Sequence, residues 1–170
     1  LPTSAMSLLQ QAQAAQARGD GPGSRRLLEQ ALAQAADHPI ICNAMGMSLL
    51  PNDPAAAAGW FERAIRGDAD ASPLWMNLAT ARRDQGDREG ERAALLQVLH
   101  RDQRHVMANV RMAEWHDRAG EESQAQFRWH GVATVLQSLP ERSSGLEQLL
   151  AHAQARVAAR AQVLGDQLDA

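Results

Sequence analysis

The chain is 170 residues long, 45% hydrophobic and 22% charged, with a formal net charge of −3. That is length for one domain with a real core and the balance of an ordinary soluble globular protein. Aromatic residues make up only 4%, Tyr is missing and all 17 basic residues are Arg, which excludes lysine-based mechanisms and leaves an Ala- and Leu-rich vocabulary that favours helices over strands.

The basic residues are spread along the chain, so no stripe points to nucleic acid. No apolar run approaches a membrane span. The opening "LPTSAMSLLQQAQ" has neither a charged n-region nor a long apolar centre, so it is not read as a signal peptide. The single Cys42 leaves no intrachain disulfide and no CxxC metal knuckle. A reducing cytoplasm is therefore the expected compartment. Exclusive use of Arg reads as the codon bias of a GC-rich source, and a chain beginning at Leu1 reads as part of a longer protein.

Helices are predicted in pairs. The first pair turns at Gly19-Asp20. The second starts at Pro39 and turns at Asn52-Asp53, where Asp53 before Pro54 is an N-cap with Pro at the first helical position. The third starts at Ser72-Pro73, which repeats that device, and turns at Gly86-Asp87. The fourth follows His105 and turns at Gly120-Glu121. These turns are 33, 34 and 34 residues apart. The same period runs through Leu28, Phe61, Leu95 and Trp129, then through Ala31, Ala64, Val98 and Val132. It also runs through the small residues Ala12, Gly46, Ala79 and Ala113, whose preceding neighbours are Gln11, Met45, Leu78 and Met112.

Several columns on one period make a repeat. A single hairpin cannot bury its own apolar face, so the copies must stack, with the small residues admitting the large ones. Copy two is one residue short before Asp53, which predicts a different hairpin loop there. Glu91 interrupts a column of small residues held by Ser24, Ala57 and Ala125, which predicts that the second helix of copy three sits further from its neighbour. After Pro140 one long amphipathic helix lies outside the period. Ser144 and Glu147 suggest a capping box. Leu146, Leu150, Ala153, Val157, Ala161, Leu164 and Leu168 form one apolar stripe. Such a helix caps the open end of a stack, with apolar residues beyond Val163 left for a partner.

Motifs that suggest chemistry have plainer readings. "GDGPGS" (19–24) resembles a phosphate loop, but a helix precedes it and no lysine follows, so it is an interhelical turn. His100-Arg101-Asp102 matches the H-x-D pair of an iron facial triad, but it falls at the end of a repeat's second helix, with no jelly roll to hold it. His105, His116, His130 and His152 show no i, i+4 metal pair. Cys42 shares a column with Trp75 and reads as a small core residue. No catalytic residue, metal site or cofactor site is expected.

A period of 34 carrying Trp75-x-x-Leu78-Ala79, Gly86, Leu95 and Val98 resembles the tetratricopeptide repeat. The resemblance runs from about Ala5 to Gln137. The family's tyrosine column is absent, its place taken by Ala15, Leu49, Arg82 and His116. The resemblance implies an all-α, right-handed superhelix of four helix-turn-helix repeats (about 5–38, 39–71, 72–105 and 106–138), followed by the terminal helix in 139–170. In this family the first helices line a groove for peptides or partner helices. By phase, that groove takes Asn43, Met47 and Leu50 from copy two and Met76, Asn77, Thr80 and Arg83 from copy three. Copy four adds Met107, Val110, Arg111, Glu114 and Asp117. Met47, Met76 and Met107 would form a diagonal stripe suited to varied apolar partners, although the same residues also fit half-buried packing. Asn77 and Arg111 match two positions of the family's carboxylate clamp. Asn43, Met47 and Met107 stand where its other members would be, and with both lysines missing that activity is not assigned.

The segments "LWMNLATARRDQGD", "ERAALLQVL" and the Ala-rich tail from Gly145 are also similar to the N-terminal repeat region of bacterial aspartyl/asparaginyl β-hydroxylase-like proteins. There a 2-oxoglutarate- and iron-dependent domain follows. That similarity implies a non-catalytic module presenting a protein or peptide substrate or partner. The competing expectation is a structural element that forms a homodimer through its C-terminal helix.

Overall fold

The computed structural model describes residues 1–168, with the side chains of 164–166 and 168 outside the described set. The described residues form nine helices and no strand. In chain order these are α1 (Thr3–Ala17), α2 (Gly21–Gln34), α3 (Pro39–Leu49), α4 (Pro54–Gly67), α5 (Ser72–Asp84), α6 (Arg88–Arg101), α7 (Val106–Ala119), α8 (Glu122–Gln137) and α9 (Ser144–Leu168). They fall into two compact units, Leu1–Gln97 and Val98–Ala170.

Helix starts follow the capping residues. Asp20, Asp53 and Asp87 each accept a hydrogen bond from the N–H three residues on, at Gly23 (2.8 Å), Ala56 (2.9 Å) and Gly90 (2.9 Å). His38 and His105 do the same for α3 and α7 through Nδ1, which accepts from the N–H of Ile40 at 3.3 Å and of Ala108 at 3.1 Å. Two expected caps differ. Ser72 lies inside α5, whose N-cap is Ala71 without a side-chain bond; the indole N–H of Trp75 ties this entry down instead by donating to the Ala69 carbonyl at 2.8 Å. The start of α9 is capped from Ser143, whose Oγ accepts from the Leu146 N–H at 3.4 Å, while the Glu147 carboxylate turns to Arg142 at 2.8 Å. The expected Ser144–Glu147 box is therefore displaced by one residue, because Arg142 offers Glu147 a charged partner.

Helix ends explain the short loop of copy two. In the other three hairpins a left-handed glycine follows the first helix: Gly19 (φ 80°), Gly86 (φ 77°) and Gly120 (φ 71°). Each is followed by an N–H that reaches back five residues, from Asp20 to Ala15, Asp87 to Arg82 and Glu121 to His116, all at 2.9 Å. This is the Schellman closure. Copy two lacks the extra residue, and its closing bonds run from Asn52 and Asp53 to the Leu49 carbonyl at 3.0 and 2.8 Å, with no left-handed residue in the loop. The loop differs as the missing residue predicts.

The core of the first unit joins α1, α2 and α3 through Leu9, Ala12, Leu28, Ala31, Ile41 and Met45, all buried. Between α3 and α4 the ring of Phe61 lies against Gly46, where an added Cβ would come within 2.5 Å of a ring carbon. The small column thus gives its smallest member to an aromatic neighbour. Cys42 is fully buried, as a core residue should be. Burial pushes its thiol pKa up, against a smaller opposing effect of the Arg63 charge.

In the second unit α7, α8 and α9 share a core of Val110, Ala113, Trp129, Val132, Leu136 and Leu150. Leu146, Leu149 and Val157 of α9 are half-buried against it, and Ala153 is fully buried within it. The first half of the apolar stripe therefore faces α8. Ala161 is exposed, and the Leu164 and Leu168 side chains lie outside the described residues. His116, in the tyrosine column, is buried with Nδ1 2.6 Å from Glu121 and its ring edge-on to Trp115. Among the described residues no helix is long and apolar enough to cross a membrane.

Candidate functional site

In the first unit the first helices of copies one and two flank an open cleft of about 490 Å³. Helix α1 contributes Ala12, Gln13 and Gln16, and α3 contributes Ile40, Asn43 and Met47. No ionisable residue lines it. Its apolar rim is unusually bare, with Ile40 54% exposed and Met47 47% exposed. Ile40, Ala44 and Met47 are spaced i, i+4, i+7, so they stand on one face of α3. Asn43 sits between them, and its Oδ1 accepts a 2.8 Å hydrogen bond from Asn77 Nδ2 on α5, one repeat away. Two of the residues assigned to the groove by phase thus meet each other across the repeat.

The other assigned residues of this unit are placed as follows. Met76 and Thr80 are half-buried, and Thr80 Oγ1 donates to the Met76 carbonyl at 3.1 Å. Arg83 is exposed, 3.4 Å from the Asp84 carboxylate. Leu50 is half-buried just past α3. Ile40, Gln13 and Gln16 also line the cleft and lie outside the residues that repeat phase assigns to a groove. The phase of Met47 alone reaches Ile40, two helical turns back on the same face. The glutamines had no such signal, because the repeat columns are degenerate in copy one.

In the second unit the assigned residues of α7 divide sharply. Met107 is 49% exposed and Glu114 is exposed, whereas Val110 and Arg111 are buried at 5% and 9% exposure. Val110 belongs to the α7–α8–α9 core. Asp117 is committed to the scaffold: one carboxylate oxygen accepts from Trp129 Nε1 at 2.9 Å, and the other holds Arg156 of α9. Arg160 pairs with Glu122 beside it. The small cleft of about 190 Å³ around these pairs has each arginine already matched by a carboxylate. Asn109 is likewise engaged: its Nδ2 donates to the Gln103 and His105 carbonyls, and its Oδ1 accepts from Arg128 at 3.0 Å. Burial lowers the pKa of that guanidinium.

Among the described residues no group of three His, Cys, Asp or Glu side chains is placed to hold a metal ion. In His100-Arg101-Asp102, the aspartate accepts from the Arg104 N–H at 2.9 Å, closing the turn after α6.

No protein-family model matches the sequence, and no curated protein does either. Solved structures do resemble it. A tetratricopeptide repeat protein from Parabacteroides merdae matches with a TM-score of 0.75 at 13% identity, over 99% of this chain and 68% of that one. The MamA protein matches with a TM-score of 0.74 at 13% identity, over 95% and 87%. PilW, a widely conserved type IV pilus biogenesis factor, matches with a TM-score of 0.69 at 20% identity, over 98% and 79%. At such identities the likeness establishes the fold, which is the all-α tetratricopeptide-repeat fold.

Proposed function

We propose that this tetratricopeptide-repeat chain is a non-catalytic interaction module whose α1–α3 cleft takes a protein or peptide partner. The observation that carries the reading is the exposed pair Ile40 and Met47 over a cleft lined without charge. Apolar side chains left open along a concave surface are the usual mark of a binding site. Met76, Asn77, Thr80 and Arg83 extend this surface along α5 in the same unit. Met107, Val110, Arg111 and Glu114 belong to the proposal from the repeat phase alone. The resemblance to β-hydroxylase-like proteins adds a context in which the module presents a substrate or partner to a catalytic domain further along a longer chain.

A photo-crosslinking amino acid placed at Met47, with one at the 72% exposed Phe127 as control, tests the reading in cells of the source organism. A discrete crosslinked partner at Met47 and none at Phe127 is expected. Equal crosslinking at both positions, or none at Met47, refutes it.

A second reading rests on Val163, 45% exposed near the distal end of α9, and makes α9 a self-association surface. Light scattering on the chain and on a truncation after Arg156 separates the two readings. A dimer reduced to a monomer by truncation supports assembly through α9, and two monomers remove it.

A further inference from the structure

We infer that acidification loosens the starts of α3 and α7 through their histidine caps, a proton-sensitive device built into two of the first helices. The device does not depend on what the α1–α3 cleft binds. His38 and His105 stand two repeats apart, each the N-cap of a first helix. Their backbones are nearly the same, φ −66° and ψ 124° against φ −59° and ψ 107°. In each, ring Nδ1 accepts from a first-turn N–H, that of Ile40 at 3.3 Å and that of Ala108 at 3.1 Å. Only a neutral ring with its proton on Nε2 can do this. A protonated ring has N–H at both nitrogens and accepts nothing. It also sets a positive charge at the positive end of a helix dipole.

The other helix starts supply the contrast. Asp20, Asp53 and Asp87 cap α2, α4 and α6 through carboxylates, a group that titrates well below histidine. Helices α1 and α5 have no side-chain cap bond. Both histidines are half-buried, so water reaches them.

Around His38 lie Asp37 in the same turn and Arg63 and Arg66 of α4, whose end meets α3 where Gly67 abuts Pro39. Asp37 is already paired with Arg63 at 2.6 Å. Helix α1 carries no ionisable side chain, and α2 carries Arg25, Arg26 and Glu29. Before His105 come His100, Arg101, Asp102 and Arg104, with Asp102 accepting from the Arg104 N–H. Helix α8 brings His130 and Arg128; Arg128 bonds the Asn109 amide, which in turn holds the His105 carbonyl. At the start of α9 Arg142 pairs with Glu147. The caps stabilise fully while the rings are neutral, and that stabilisation is lost as the pH falls through the range where histidine ordinarily titrates. Each helix also presents exposed apolar side chains, Ile40 and Met47 on α3 and Met107 on α7, so the proton acts on the elements that carry them.

The test is amide hydrogen exchange on the whole chain at pH 7.5 and 5.0, each rate corrected for its intrinsic pH dependence. Protection at Ile40, Ala108 and the turns that follow should fall about fivefold or more at the lower pH, as expected for a lost N-cap. Protection in the first turns of α2, α4 and α5 should change by less than about twofold. His38→Asn combined with His105→Asn keeps a capping acceptor that does not titrate, so protection should hold at both pH values. His38→Ala combined with His105→Ala should show low protection at both. Unchanged protection of either helix in the unaltered chain at pH 5.0 overturns the inference. So does an equal fall at the aspartate-capped helices, or a fall that persists in the double asparagine variant, since the proton then acts elsewhere.

Discussion

The hairpins α3–α4 and α7–α8 occupy the same place in the repeat, yet they spend their side chains differently. Helix α3 pairs Gly46 with Phe61 and turns Ile40 and Met47 outward. Helix α7 sets Ala113 in a core with Trp129 and commits Asn109 and Asp117 to hydrogen bonds and an ion pair with its neighbours. The positions equivalent to Ile40 and Met47, which are Met107 and Glu114, are exposed as well, so the contrast lies in the polar residues beside them. That contrast is in how far polar partners from the following helices engage those residues. Trp129 and Arg156 capture Asp117, whereas Asn77 takes only one end of the Asn43 amide.

The comparison breaks most visibly at the large residue each hairpin buries. Trp129→Ala removes an indole 2% exposed in the second unit's core and should cost about 3–5 kcal/mol. Phe61→Ala should cost a similar amount in the first unit, both read by urea denaturation. If one is nearly neutral, the two hairpins do not share a packing plan. Next in size is Gly46→Ala, whose added carbon meets the Phe61 ring at 2.5 Å. Overpacking of that kind costs about 1–3 kcal/mol. Combining it with Phe61→Leu should recover part of the loss, since the smaller side chain makes room. A fully additive double variant would show that the ring is not what the methyl group meets.

Much of this was legible in the sequence, and the unread parts share a cause. A column of small residues facing a column of large ones reports packing that is local to each copy, so the hairpins and their number could be read directly. The short loop at Asn52-Asp53 was readable for the same reason, because one missing residue removes the left-handed closure. Caps were read less well: Arg142 draws Glu147 away and Trp75 replaces a cap at α5, and both effects come from partners that no local pattern names. For the proposed groove, phase assigns Asn43 and Met47, which line the α1–α3 cleft, and Asn77, which bonds Asn43, together with Val110 and Arg111, which are buried, because helix phase says which way a residue points and not what lies there. Ile40 lies on the same phase, two helical turns before Met47. Gln13 and Gln16 lie in the copy whose columns are weakest, so nothing marked them.

Two smaller effects sharpen the contrast. Gly120 holds φ at 71°, and an L-residue there pays about 1–2 kcal/mol, so Gly120→Ala should lower stability by that amount. Asn52→Ala, in the loop that closes without a left-handed residue, should change stability by less than about 0.5 kcal/mol. Equal losses would mean that the two turns are not different in kind. The smallest expected change is at Met47. Its side chain is 47% exposed, and Met47→Glu fills no cavity and buries no charge, so its stability cost should stay within about 0.5 kcal/mol. The same substitution is the one expected to abolish partner binding at the cleft. A residue whose loss leaves the fold untouched while removing an interaction is kept for its surface. A stability loss of about 2 kcal/mol or more would instead assign Met47 to packing.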